Sequence, residues 1–114
     1  MNRRRWRYLL VKIVAGKVLT KKAFSASLIE SAEDLYGHIG LAEISPQVIY
    51  YDQECSTALV KCSREGVQKL RATLALITEI ENSRAAVFVL RASGTIRSLR
   101  QRPWIKCFPQ FRPP

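Results

Sequence analysis

The chain has 114 residues, 47% of them hydrophobic, and its 19 Lys and Arg outnumber 9 Asp and Glu to give a net charge of +10. This length favours a single domain, and the hydrophobic share excludes a disordered chain. So basic a domain usually binds a polyanion or an anionic membrane surface. No stretch approaches the roughly 18 apolar residues of a membrane span, and the arginine-rich start lacks the uninterrupted apolar run and cleavage site of a signal peptide. We therefore expect a soluble, cytoplasmic protein.

Hydrophobic periodicity predicts four strands and two helices in the order strand, helix, strand, strand, helix, strand. The strands are expected at 7–14, 48–51, 57–62 and 85–90, and the helices from Thr20 to about His38 and from Ser63 to about Glu79. The glycines Gly37 and Gly40 are expected to mark the end of the first helix.

The first helix is predicted to be amphipathic. Its predicted core face consists of Phe24, Leu28, Ala32, Leu35 and Ile39. The acids Glu30, Glu33 and Asp34 lie on the opposite face.

This order of elements is the split βαβ of a ferredoxin-like α/β (α+β) sandwich. We expect a four-stranded antiparallel sheet with two main helices on one face and short C-terminal elements. The chain is interpreted as a single domain, 1–114, with a basic arm, 1–6, and an irregular, basic, proline-rich tail, 103–114.

All nine acids lie between two acid-free basic segments, 1–22 and 82–114. In the predicted topology the first and fourth strands are neighbours, so these two segments should meet at one edge of the sheet. The resulting patch could follow a phosphate backbone.

Catalytic and metal-binding patterns are weak. Glu30, Glu33 and Asp34 have a spacing that could hold Mg²⁺, but such clusters opposite an apolar face are usually solvated. His38 has no evident nucleophile or carboxylate partner in the sequence. We therefore expect no catalytic residue and no metal or cofactor in the protein.

The cysteines are Cys55, Cys62 and Cys107, an odd number without CxxC spacing, so zinc is not expected. The sequence leaves open whether Cys55 and Cys62 pair within the predicted hairpin.

The aromatic residues do not favour base stacking as the main mode of RNA binding. RNA-recognition motifs stack bases on aromatics of their central strands, and the predicted third strand, 57–62, has none. Trp6, Tyr8, Tyr50 and Tyr51 are more often strand or core aromatics. Contacts from arginine to phosphate are favoured instead, because the guanidinium fork fits phosphate oxygens.

The segment 93–97, Ser-Gly-Thr-Ile-Arg, follows the fourth strand. Gly94 permits a tight turn, and Thr95, followed by Ile96, can cap a short helix whose N-terminus attracts phosphate. Together with the basic ends, this turn defines the predicted RNA contacts. They are Arg3, Arg4, Arg5, Arg7, Arg91, Arg97, Arg100 and Arg102.

Four pieces of the chain, spread over about residues 5–102, resemble ribonuclease P protein component 2, the Pop-five type family of archaea and eukaryotes. They are Arg-Tyr-Leu-Leu at 7–10, Leu-Tyr-Gly at 35–37, Val-Lys-Cys at 60–62 and the turn at 93–97. The sequence departs from the family at Ser56, where glycine is common, and in its basic, proline-rich end, where some relatives have an acidic tail.

The resemblance implies a non-catalytic protein subunit of ribonuclease P, the endonuclease that removes the 5′ leader of precursor tRNA. The catalytic RNA would carry the chemistry and hold Mg²⁺. The family also implies a protein partner, the barrel-shaped ribonuclease P protein component 3.

Two other functions stay open on the residues alone. One is a different ribonucleoprotein subunit, of ribosomal or splicing type, and the other is a small-ligand regulatory domain that dimerises through its sheet. The sheet face without helices, which includes Tyr8 and Leu10, predicts a partner surface or self-association.

Overall fold

The computed structural model describes residues 5–94, and the structural statements below concern that part of the chain. It contains five strands, β1 to β5, and two helices, α1 and α2, with a short 3-10 turn at Arg64–Gly66. Their bounds are β1 Trp6–Ala15, α1 Lys21–Ile44, β2 Gln47–Asp52, β3 Thr57–Ser63, α2 Val67–Leu76, β4 Glu79–Ile80 and β5 Ser83–Ser93. The predicted C-terminal elements, the tail and most of the N-terminal arm lie outside these residues.

The strands form one antiparallel sheet in the order β2-β3-β1-β5-β4. β1 is central, between β3 and β5, so the predicted adjacency of the first and last long strands is confirmed. The core lies on one face, where Leu9, Val11 and Ile13 of β1 pack in a cluster with residues of both helices, including Leu70 and Leu74 of α2.

The expected four-stranded sheet is wrong by one strand. Glu79 and Ile80 form β4, which pairs with the start of β5, whereas the sequence placed Glu79 at the end of the second helix. Glu81 and Asn82 both have positive φ, at 50° and 62°, the backbone of a tight hairpin turn. Because Ile77 and Ile80 are both buried, this segment packs on the core as an extended chain and α2 ends earlier, at Leu76.

Helix α1 begins as predicted. The Thr20 hydroxyl accepts a hydrogen bond from the Ala23 N–H at 3.1 Å and caps the helix. The helix continues to Ile44, however, so its predicted end near His38 is wrong. Gly37 adopts φ 72°, which glycine reaches without a Cβ penalty, and the helix kinks there and then resumes.

The kink accounts for one of the two errors on the predicted core face. Phe24, Leu28 and Ala32 are buried, as expected. Leu35 is 43% exposed and Ile39 is 86% exposed. Ile39 follows the break at Gly37, so a straight-helix periodicity does not apply to it, and Leu35 lies in the last turn before the break.

Two further residues settle questions that the sequence left open. Cys62 is a free, buried thiol, so it does not pair with Cys55. Leu10 is fully buried, although its neighbours Leu9 and Val11 supply the core on the helix side, so Leu10 does not contribute to an exposed apolar face. No helix within residues 5–94 is long and apolar enough to cross a membrane.

Candidate nucleic-acid interface

The start of β1 and the end of β5 lie side by side. Tyr8 pairs with Ser93, and Leu10 pairs with Arg91, in antiparallel register. This pairing brings Arg5 and Arg7, at the start of the described chain, beside Arg91 and Gly94 at its end. The two basic segments of the sequence therefore meet at one end of the sheet, as far as the structure describes them.

Arg7 lies directly beside Gly94. A Cβ built on Gly94 would lie 3.3 Å from Nη1 of Arg7, closer than side chains normally approach, so the glycine leaves room for the guanidinium. The same nitrogen donates a hydrogen bond to the Trp6 carbonyl oxygen at 3.0 Å. Arg7 is thus a half-buried cation that bonds a carbonyl of its own strand and lies beside the turn after β5.

The Arg7 charge also acts on a neighbouring strand. Arg7 pairs in register with Cys62 of β3. Burial raises the pKa of the Cys62 thiol to about 11, and the positive charge of Arg7 acts in the opposite direction. Cys62 is consequently a neutral thiol at physiological pH and does not neutralise Arg7.

Two basic residues that the sequence analysis did not include belong to the same end of the sheet. Lys61 pairs with Tyr8, and its Nζ lies 4.2 Å from the centroid of the Trp6 ring. Arg64 follows the end of β3, is exposed, and donates its backbone N–H to the Arg5 carbonyl oxygen at 2.9 Å. The adjacency of β3 and β1 in the predicted topology was the signal that could have found both.

We call the cations at this end of the sheet the basic patch. It consists of Arg5, Arg7, Lys61, Arg64 and Arg91, with Gly94 beside it. Arg7 alternates with Leu9 and Val11 on the helix-side face, whereas Lys61 and Arg91 pair with Tyr8 and Leu10 on the opposite face. The two side-chain ion pairs within residues 5–94, Lys69 with Glu43 and His38 with Glu33, do not involve the basic patch. One exposed acid, Glu65, follows Arg64 directly.

The other predicted contacts cannot be placed against this patch. Arg3, Arg4, Arg97, Arg100 and Arg102, together with Thr95 and Ile96 of the turn motif, lie outside the described residues. Of the predicted RNA-binding arginines, the structure places Arg5, Arg7 and Arg91 at the same end of the sheet.

Acidic residues concentrate at the opposite end of β5. Glu79 and Glu81 lie at the hairpin that starts this strand, and with Glu30 and Asp34 of α1 they line a shared groove. β5 has 11 residues, so at about 3.3 Å per residue the two ends are roughly 30 Å apart. These carboxylates lie among cations, because Lys22 lines the same groove, the Lys17 Nζ donates to the Glu81 carbonyl oxygen, and Arg84 pairs with Glu79.

The acids of α1 do not form a metal centre. Within residues 5–94 there is no group of three or more His, Cys, Asp or Glu side chains placed to hold a metal ion. The expectation that His38 lacks a carboxylate partner is wrong, because its Nδ1 lies 3.3 Å from a Glu33 carboxylate oxygen. His38 is 87% exposed, so the contact resembles a surface pair rather than an acid–base centre.

The chain was compared with known proteins. A model of the Rpp14/Pop5 family matches residues 7–103. Ribonuclease P protein component 2 of Pyrococcus abyssi is 32% identical over 96 residues, which is 84% of this chain and 81% of that protein. The same component of Thermococcus gammatolerans is 30% identical over 100 residues, or 88% of this chain and 83% of that protein.

A structural relative agrees in fold. A chain in the cryo-EM structure of yeast ribonuclease MRP superposes with a TM-score of 0.67 at 13% identity, covering 83% of this chain and 78% of that chain. The family match extends over most of the sequence. It begins at Arg7 and includes every basic-patch residue except Arg5. The chain belongs to the Rpp14/Pop5 family, and the relatives named above are ribonuclease P protein components.

Proposed function

We propose that this chain is a non-catalytic protein subunit of ribonuclease P that binds the catalytic RNA and supports removal of the 5′ leader from precursor tRNA. Its partners would be that RNA, precursor tRNA through the holoenzyme, and the barrel-shaped ribonuclease P protein component 3, in the cytoplasm. The observation that carries the proposal is the basic patch, in a chain whose relatives are ribonuclease P components.

The chemistry of the patch suits a phosphate backbone. Arginines offer several N–H donors in a planar fork, and a cation that neutralises a phosphate releases counterions from the RNA. Arg7 already bonds the Trp6 carbonyl, so it loses less side-chain freedom on binding than a free surface arginine does. Such contacts position an RNA without reading its sequence.

The aromatic content adds a secondary contact rather than the main one. Trp6 already stacks under the Lys61 ammonium. The pair presents a cation and an aromatic ring together, a combination that can contact both a phosphate and an unstacked base.

The test is reconstitution. The catalytic RNA, component 3 and this chain are mixed, and cleavage of precursor tRNA is followed while Mg²⁺ is lowered. The complete mixture should cleave at lower Mg²⁺ than the RNA alone, because protein cations replace part of the divalent screening. The triple variant Arg5→Ala, Arg7→Ala, Arg91→Ala should lose most of this gain.

The control is Arg71→Ala, an exposed arginine of α2 outside the patch, which should retain the gain. Cleavage by the protein without RNA would contradict a non-catalytic role. Recovery of ribosomal RNA alone with the purified protein would favour a different ribonucleoprotein.

A further inference from the structure

The two edges of the sheet differ in how they are protected against pairing with another strand. β2 is short, follows Pro46, and has an irregular register between Val48 and Tyr50. Prolines, bulges and short strands are the usual devices that blunt a sheet edge. β5, on the other side, has 11 residues and no proline.

Within residues 5–94, most of the outer edge of β5 carries no strand. β4 pairs only with Ser83 and Arg84, and one further bond runs from the Ala85 N–H to the Thr78 carbonyl at 3.0 Å. Beyond Ala85, within the part of the chain that the structure describes, no strand pairs with β5 on that side.

The hydrogen bonds at the start of β5 show which backbone groups face outwards. Gly16 of the β1 side donates to the Arg84 carbonyl, whereas Ala85 donates to the β4 side. Backbone groups alternate along an antiparallel strand, so Val87 and Val89 turn their N–H and C=O groups to the open edge, and Phe88 turns its own to β1.

Exposed apolar side chains accompany this edge. Phe88 is 55% exposed and Leu90 is 50% exposed, and both lie on the face of the sheet opposite the buried Val87. Leu76, 61% exposed, ends α2 two residues before Thr78, the last residue that covers the edge. An unpaired strand edge between exposed apolar groups is the surface that an added strand needs.

We infer that the outer edge of β5 from Val87 to Val89 is a docking site for an extended segment of a partner protein, with apolar residues at its centre and an acidic residue at the end beside Arg91. The acidic character of the partner is inferred from the charge around the edge. The stretch 85–90 is uncharged and Arg91 follows it, whereas Arg84 at its other end pairs in register with Glu79. A second copy of this chain, at net charge +10, would bring further positive charge to the same place.

The inference concerns a protein contact and does not rest on the proposed function. A direct test uses hydrogen exchange of individual amides in the full chain. The probe is a short synthetic peptide of alternating Val and Thr with Glu at each end. It should slow exchange at Val87 and Val89 by about tenfold or more when the site is saturated, because both amides gain hydrogen bonds. The Phe88 amide, which already faces β1, should change little.

Three further probes define the mode of binding. The same peptide with Lys at its ends should give no protection, and neither should a peptide with N-methyl groups on its bonding edge. The variant Arg91→Glu should reverse the preference and bind the Lys-flanked peptide.

Two single variants complete the test. Leu90→Lys places a charge beside the edge and should abolish protection, whereas Val18→Lys, at a 76% exposed apolar residue in the β1–α1 connection, should not. No protection at Val87 and Val89 with the Glu-flanked peptide would overturn the inference, as would equal binding of the Lys-flanked or N-methylated peptides. Protection without peptide that increases with protein concentration would show that a second copy occupies the edge, and would overturn the assignment to a partner protein.

Discussion

Replacing Arg7 with alanine removes a cation whose contacts within the described fold are few. The guanidinium donates one hydrogen bond, to the carbonyl of the preceding residue, and lies beside Gly94 and Cys62. That carbonyl can bond water instead, so the fold should lose about 0.5–1 kcal/mol. A hydrogen bond from a charged group to an RNA phosphate contributes about 1.5–3 kcal/mol, so affinity should fall roughly ten- to hundredfold.

The assay is binding of labelled ribonuclease P RNA at several salt concentrations, followed by fluorescence anisotropy, with thermal unfolding measured in parallel. Loss of one neutralised phosphate should reduce the slope of log affinity against log salt by about 0.7–0.9. Arg7→Lys keeps the positive charge but lacks the planar N–H fork of the guanidinium. Its salt dependence should therefore stay close to that of the wild type, while its RNA affinity should be lower.

The control is again Arg71→Ala, which should change neither quantity. If Arg7→Ala leaves the salt slope at the wild-type value and lowers the melting temperature more than the control, then Arg7 is a structural residue. The basic patch would then have to act without it.

Three other predictions concern single positions. Arg97→Ala and Arg100→Ala should each reduce the salt slope by about one unit and change stability by less than about 0.5 kcal/mol, and an unchanged slope in the double mutant would exclude this segment from the interface. Burial raises the pKa of Cys62 from 9.0 to about 11, so the unfolded chain loses this proton first, and stability should fall between about pH 9 and 11 by up to roughly 1.4 kcal/mol per unit. Urea titrations of Cys62→Ala should lack that part of the slope, and an identical pH dependence would contradict the buried thiol. Gly37→Ala places a Cβ at φ 72° with no atom within 4 Å, so backbone strain alone should cost about 1–2 kcal/mol in urea unfolding; a gain in stability would mean that the helix straightens instead.

Local patterns were sufficient for much of the fold. The alternation at the start of the chain placed β1, and Thr20 marked the first turn of α1, because a strand period and a capping hydroxyl are properties of neighbouring residues. The continuation of α1 past Gly37 was not predictable in this way. Glycine both ends helices and permits kinks, and the burial of Ile44 against the start of α2 decides between the two.

β4 was missed for a similar reason. The segment 77–80 is short, and its buried residues, Ile77 and Ile80, fit a helical spacing as well as an extended chain. The pairing of Glu79 with Arg84 depends on a hairpin turn whose Glu-Asn sequence is not among the strongest turn signals.

The candidate site was predictable where topology alone determines it. Arg5, Arg7 and Arg91 meet because the first and last long strands are neighbours in the predicted fold. Lys61 and Arg64 were missed because the prediction used only the acid-free segments at the two ends of the chain. Lys61 lies in the middle of the chain and reaches the patch only because it pairs with Tyr8.

The two proposed surfaces meet on β5, and this has a consequence for assembly. Arg91 belongs to the basic patch and also flanks the open edge at Val89. If an acid-flanked strand docks there, its carboxylate neutralises Arg91 and should weaken the RNA contact at that residue alone, while Arg5 and Arg7, across β1, keep theirs. Saturating peptide should therefore lower the RNA affinity of the wild type and leave the RNA affinity of Arg91→Ala unchanged. Both results together are expected only if the edge and the patch share this one residue.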